Sequence, residues 1–174
     1  MDTILRLEGV TRRFDSFTLQ PLDLEVPGGA IMGLIGENGA GKTTTLRLIL
    51  GAIHRDGGNI TVFGKDLDAQ PAHIREEIGV VFDECCFHES MTPKNLDMVF
   101  KGIYQNWSSS AFERYCHSLK LPMKKKIKDF SRGMKMKLSI ATALAHAPRL
   151  LLLDEATSGL DPVVRDDVLE LLQE

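Results

Sequence analysis

No stretch of the 174-residue chain approaches the roughly 18 consecutive apolar residues that a membrane-crossing helix requires. Any dealing with a membrane is therefore expected to run through a partner. No signal-peptide pattern opens the chain. Cysteine is scarce: Cys85, Cys86 and Cys116 are odd in number and share no metal-ligand spacing. Adjacent Cys85 and Cys86 are badly placed to bridge each other, so reduced thiols in the cytosol are the simpler reading. An excess of one charge is also missing. The net charge of −3, with both signs mixed along the chain, gives no reason to expect a nucleic-acid partner. There is no internal repeat, no low-complexity tract and no Pro/Ser-rich linker. What remains at this length is one α/β domain, large enough to bury a proper core.

The stretch that organises the chain is Gly36-Glu37-Asn38-Gly39-Ala40-Gly41-Lys42-Thr43-Thr44. An apolar run, residues 30–35, precedes it and predicts a buried strand. Residues 45–50 continue it with the spacing of an amphipathic helix. Strand, glycine-rich turn and helix in that order are the setting a phosphate-binding loop requires. Gly36, Gly39 and Gly41 lack Cβ atoms and let backbone N–H groups approach an anion closely. The positive end of the helix beginning near Lys42 adds to that attraction. Lys42 then reaches the β- and γ-phosphates, and the Thr43 hydroxyl holds Mg²⁺. A chance match is the alternative, expected in fewer than about one chain in a hundred at ordinary glycine usage. The expectation is a chain that binds a nucleoside triphosphate with Mg²⁺.

Before that loop, residues 3–7 read as a strand ended by Gly9, and Leu22, Leu24 and Val26 alternate with Asp23 and Glu25 as a half-exposed antiparallel strand. Phe14 lies between the two. Its ring could stack on an adenine or simply join the core, where phenylalanine is most often found. After the loop come strands over 59–63 and 78–82, with a short helix over 71–77 between them. From 92 to 147 the pattern is almost wholly helical. Thr92-Pro93, Ser108 and Ser131 mark three helix starts, and Met134, Leu138, Ala141, Leu144 and Ala145 form an apolar stripe. Lys124-Lys125-Lys126, with Lys128, Arg132, Lys135 and Lys137, reads as a solvated face or as a surface for an acidic partner or a phosphate.

Residues 149–155, Arg-Leu-Leu-Leu-Leu-Asp-Glu, are a short apolar run ending in two carboxylates. Such runs are buried parallel strands, and ligands of open α/β sheets gather at their carboxyl ends. Asp154 can then share the Mg²⁺ with Thr43, and Glu155 can polarise the water that attacks the γ-phosphate. Ser131-Arg132-Gly133-Met134 is, alone, a serine-capped helix start where N–H groups could receive an anion.

Taken together these residues resemble the ATP-binding domain of an ABC transporter over nearly the whole chain. Gly36 to Thr44 resembles the Walker A loop, 150–154 the Walker B strand, and Glu155 the adjoining catalytic glutamate. Ser158-Gly159-Leu160-Asp161 resembles the D-loop. Phe130 to Met134 stands where the family has its signature, and Phe14 where it has the aromatic that stacks on adenine. The resemblance implies a P-loop NTPase (RecA-like) α/β core with an N-terminal antiparallel β subdomain and a helical insert. It implies one domain over 1–174, with core 1–84 and 148–174 and helical subdomain 85–147. It also implies that Ser131, Arg132, Gly133 and Met134 serve the nucleotide of a second ATP-binding subunit in a head-to-tail dimer. A separate integral membrane permease is the implied partner. The chain would work in the cytoplasm, at the inner face of the membrane, as the ATPase of a bacterial exporter.

Four departures from the family pattern stand out. Arg132 and Met134 replace a glycine and the glutamine of the signature. Asp83 stands where the Q-loop glutamine is usual, and is a further candidate for the metal. Ala156 replaces a proline. None of the five histidines lies beyond His146, so the family's switch histidine is missing, and with it at least one strand. The sequence thus reads as a truncated domain that binds ATP with little turnover. Two rivals fit less well: a soluble ABC-type ATPase acting on ribosomes or DNA, and a small-molecule kinase built on the same loop.

Overall fold

The computed structural model describes residues 2–155 and divides the chain into two compact units, Met1–Arg75 and Glu76–Glu174. Ala156 and the D-loop residues Ser158, Gly159, Leu160 and Asp161 lie outside the described residues.

The first unit is built on strands β1 (Thr3–Arg13), β2 (Thr18–Pro27), β3 (Gly57–Val62) and β4 (Lys65–Asp66), in the order β2-β1-β3-β4 with every pair antiparallel. Leu5, Leu7 and Val10 of β1 all bury their side chains, and the odd step from 7 to 10 has a cause at Gly9. There φ is +57° and the register slips between Leu7 and Val10 on the β2 side. One inserted residue returns Val10 to the core face. The strand expected to end at Gly9 therefore runs on to Arg13, through a bulge. Leu19, Ile60 and Val62 of the sheet are buried, as are Leu48 and Ile49 of helix α1 (Lys42–Ile49). Helix α2 (Pro71–Glu76) closes this part of the chain, with Ile74 fully buried.

The buried strand expected over 30–35 is not formed. These residues have no regular structure, and Ile31 and Ile35 are almost fully exposed, at 100% and 96%. A strand exists only through its hydrogen-bonded neighbours, and no strand among the described residues pairs with this segment. Apolar composition alone does not supply the pairing.

The second unit opens with β5 (Ile78–Val81) and closes, among described residues, with β6 (Leu150–Leu153), which runs parallel to it. Between them lie α3 (Pro93–Lys101), α4 (Ser109–Ser118), a 3₁₀ turn at Ile127–Asp129, and α5 (Arg132–Leu144). Each helix starts where a hydroxyl caps it. Thr92 accepts from the Asn95 amide and Asn95 returns a bond to the Thr92 amide; Ser108 accepts from Ala111 N and Ser131 from Met134 N. Such caps are each worth about 1 kcal/mol. Phe112, Cys116, Ile127, Leu138 and Ile140 make the core of this unit. Helix α5 packs on β5 so closely that a Cβ on Gly79 would stand 2.8 Å from the Ala143 carbonyl oxygen. Among the described residues, no helix is long and apolar enough to cross a membrane.

Candidate functional site

Gly41 caps α1 with φ +97° and ψ 9°, a left-handed conformation open to glycine at little cost, and brings no side chain to the helix mouth. A Cβ there would also strike Leu19 Cδ1 at 2.9 Å and Phe17 Cζ at 3.1 Å. The Gly41 carbonyl is drawn into the helix, accepting from Thr45 N at 2.8 Å and Thr45 Oγ1 at 2.9 Å. Gly36, Glu37, Asn38, Gly39 and Ala40 form an exposed loop in front of it, closed by a bond from Ala40 N to Glu37 O at 3.1 Å. The Lys42 ammonium folds back across this loop, donating to Gly36 O at 2.8 Å and Glu37 O at 3.1 Å. A cation is thus fixed beside the positive end of a helix dipole. Thr43 and Thr44 follow in the first turn of α1, half-buried.

The turn between β1 and β2 stands next to this loop. Phe14 N donates to Phe17 O at 2.7 Å, Phe17 N returns a longer bond to Phe14 O at 3.4 Å, and the two rings lie 6.3 Å apart at 27°. Phe14 is 37% exposed, and the Arg12 guanidinium sits 5.1 Å from its ring centroid. Arg12 is itself held by Asp56 at 2.9 Å. The bond from the Arg13 amide, with the Arg12 charge beside it, keeps the Asp56 carboxyl below the usual range against the opposing pull of desolvation. Sequence reasoning passed over Phe17 and Thr45; the signal for Phe17 was a second aromatic three residues after Phe14.

In the second unit, Asp83, Asp154 and Glu155 collect at the carboxyl end of the β5–β6 pair. Val81 pairs with Leu153 and the Asp154 amide bonds the Val81 carbonyl, so Asp83 follows the end of one strand and Asp154 and Glu155 the end of the other. The Asp154 side chain is buried at 6% exposure, whereas Asp83 and Glu155 are exposed. Glu155 has φ +49°, a left-handed backbone that costs a non-glycine residue about 1–2 kcal/mol. Such strain is concentrated at functional sites. Ser131, with Arg132, Gly133 and Met134 after it, starts α5; Ser131 and Arg132 are exposed, and Phe130 before them is buried. The lysines 124–126 and 128 are exposed, and Lys135 pairs with Glu89 at 3.2 Å.

The structure therefore groups residues 36–44 with Phe14 in one unit, and Asp83, Asp154, Glu155 and the start of α5 in the other. Among the described residues, no three His, Cys, Asp or Glu side chains converge as a metal site. The donors present, a threonine hydroxyl and carboxylates, are hard oxygens. They suit Mg²⁺, which takes only one or two protein ligands and fills the rest with phosphate and water.

Comparison with known proteins follows the same lines. The family described as ABC transporter matches residues 19–158. The Bacitracin transport ATP-binding protein BcrA of Bacillus licheniformis is 36% identical over 166 residues, 94% of this chain and 54% of that protein. The Nod factor export ATP-binding protein I of Cupriavidus pinatubonensis is 37% identical over 182 residues, 99% of this chain and 55% of that one. A solved structure described as an ATP binding subunit of an ABC transporter superposes with a TM-score of 0.86 at 26% identity, covering 97% of this chain and 73% of that chain. The chain belongs to the ABC transporter family, and its fold is that of the family's ATP-binding domain. It spans about half the length of the curated relatives it matches.

Proposed function

We propose that this chain is the ATP-binding and ATP-hydrolysing part of a subunit that powers a membrane exporter, through ATP-driven pairing of two such domains. One observation carries the reading: a glycine-lined loop at the mouth of α1, with the Lys42 ammonium fixed across its carbonyls. That arrangement meets a polyphosphate with backbone amides, a helix dipole and a side-chain cation together. Names among the relatives, such as bacitracin transport and Nod factor export, support transport out of the cell as the task.

In this proposal the Gly36–Thr44 loop holds the phosphates and Phe14 stacks on the adenine. Thr43 and Asp154, with Asp83 nearby, hold the metal; when bound, Mg²⁺ neutralises charge on the phosphate oxygens. Glu155, exposed beside buried Asp154, accepts a proton from the attacking water. Ser131, Arg132, Gly133 and Met134 meet the nucleotide of the second ATP-binding subunit, and 158–161 serve as the D-loop. An integral membrane permease is the other partner and keeps the domain at the cytoplasmic face of the membrane. The whole is one domain, with core 1–84 and 148–174 and helical subdomain 85–147.

Calorimetric titration of the folded chain with MgATP tests this. Saturable binding is expected, and Lys42→Ala should weaken it about 10- to 100-fold, the worth of a charge-assisted contact to phosphate. No saturable uptake, or uptake indifferent to Lys42→Ala, would overturn the reading.

A further inference from the structure

We propose that Phe17 is a second aromatic contact for the nucleoside, seated against the apolar face of the sugar. It would thereby set how far a nucleoside triphosphate is preferred over a bare triphosphate. The inference rests on the nucleotide reading above and adds a residue that reading does not contain.

Three contacts place Phe17. Its ring tip would lie 3.1 Å from a Cβ on Gly41, so it packs on the backbone at the mouth of α1, where the phosphates are held. Its ring is stacked with that of Phe14 at 6.3 Å, where the base is held. The reciprocal backbone bonds of the 14–17 turn fix that spacing. Phe17 is therefore the link between the phosphate loop and the base platform, and in a nucleotide the link between phosphate and base is the sugar.

Burial sorts the roles of the two side chains that touch Gly41. Leu19 is 7% exposed and belongs to the core beneath the loop. Phe17 is only partly buried, so its ring keeps surface to offer. If the sole task at this point were to prop Gly41, Leu19 already performs it. A flat, half-exposed ring beside a second one is instead the kind of surface on which a planar base and the C–H face of a sugar pack.

The test titrates the chain, Phe17→Ala and Phe17→Leu with MgATP and with magnesium tripolyphosphate. Far-UV circular dichroism checks that each variant is folded. Phe17→Ala should raise the Kd for ATP about 5- to 10-fold, the worth of a lost ring contact, while tripolyphosphate binding stays within about twofold. Phe17→Leu keeps the apolar contact with Gly41 but not the flat face, and should shift ATP in the same direction by less. Equal weakening for both ligands would show that the ring only props the loop, and unchanged ATP binding would show no contact; either result overturns the proposal. Should the parent chain bind neither ligand, the nucleotide reading itself fails and takes this inference with it.

Discussion

The Asp154 amide donates to the Val81 carbonyl at 2.9 Å, the last rung of the parallel β5–β6 pair. That rung holds Asp154 in a buried position, and one residue further the chain turns out of the sheet through the left-handed backbone of Glu155. An exposed acid and a buried acid are thereby presented side by side from adjacent positions.

Strain and activity should trade against each other at Glu155. Glycine adopts φ +49° freely, so Glu155→Gly is expected to raise unfolding stability by about 0.5–1 kcal/mol, read from urea midpoints. Glu155→Gln, tested in an assembled transporter, should bind ATP normally and hydrolyse it about 10²- to 10⁴-fold more slowly. Full hydrolysis by the glutamine variant would remove the proposed base.

The bulge at Gly9 depends on Gly58. A Cβ at Gly58 would fall 2.4 Å from the Gly9 carbonyl, against rigid backbone, at φ +82°. Gly58→Ala should cost at least about 2 kcal/mol, because overpacking and backbone strain act together. Gly64 has a similar φ of +74° but open space around it, so Gly64→Ala should cost only about 1 kcal/mol of strain. Equal losses in chemical denaturation would refute the packing argument.

His146 predicts an acid limit. It is 2% exposed, stacked on Tyr104 at 4.2 Å, with Nε2 3.3 Å from the Ile78 carbonyl oxygen. Burial lowers its pKa below the ordinary 6.5, against the opposing hydrogen bonds to the Ile78 and Thr142 backbone. A depressed histidine keeps its full stability above pH 6.5. Below that value the unfolded chain takes up the proton first, and stability falls until the native pKa is passed. Thermal midpoints should therefore drop below about pH 6.5 in the parent and more shallowly in His146→Phe. Parallel pH profiles would exclude His146 as a source of that slope.

Much of this was legible in the chain because the causes are local. Thr92 with Asn95, and Ser131 with Met134, cap helices within three residues, and a cap of that span is written in the sequence. The phosphate loop is likewise contiguous: Gly41, Lys42 and the start of α1 stand where the spacing put them. The strand at 150–153 and its partner at 78–81 were readable from their unbroken apolar runs.

Other features depend on residues far apart, and only the folded chain decided them. Residues 30–35 are an apolar run yet form no strand among the described residues, because strand identity lies in the neighbour and not in the segment. Gly9 looked like a strand end and is a bulge, since its conformation answers to the β2 register and to Gly58, 49 positions away. Phe17 looked unremarkable until its ring was found against Gly41. Caps and glycine turns close their hydrogen bonds within a few residues, so composition and spacing determine them. Pairing, register and the contact of a ring with a distant backbone are settled only when remote segments meet, and that meeting belongs to the tertiary structure.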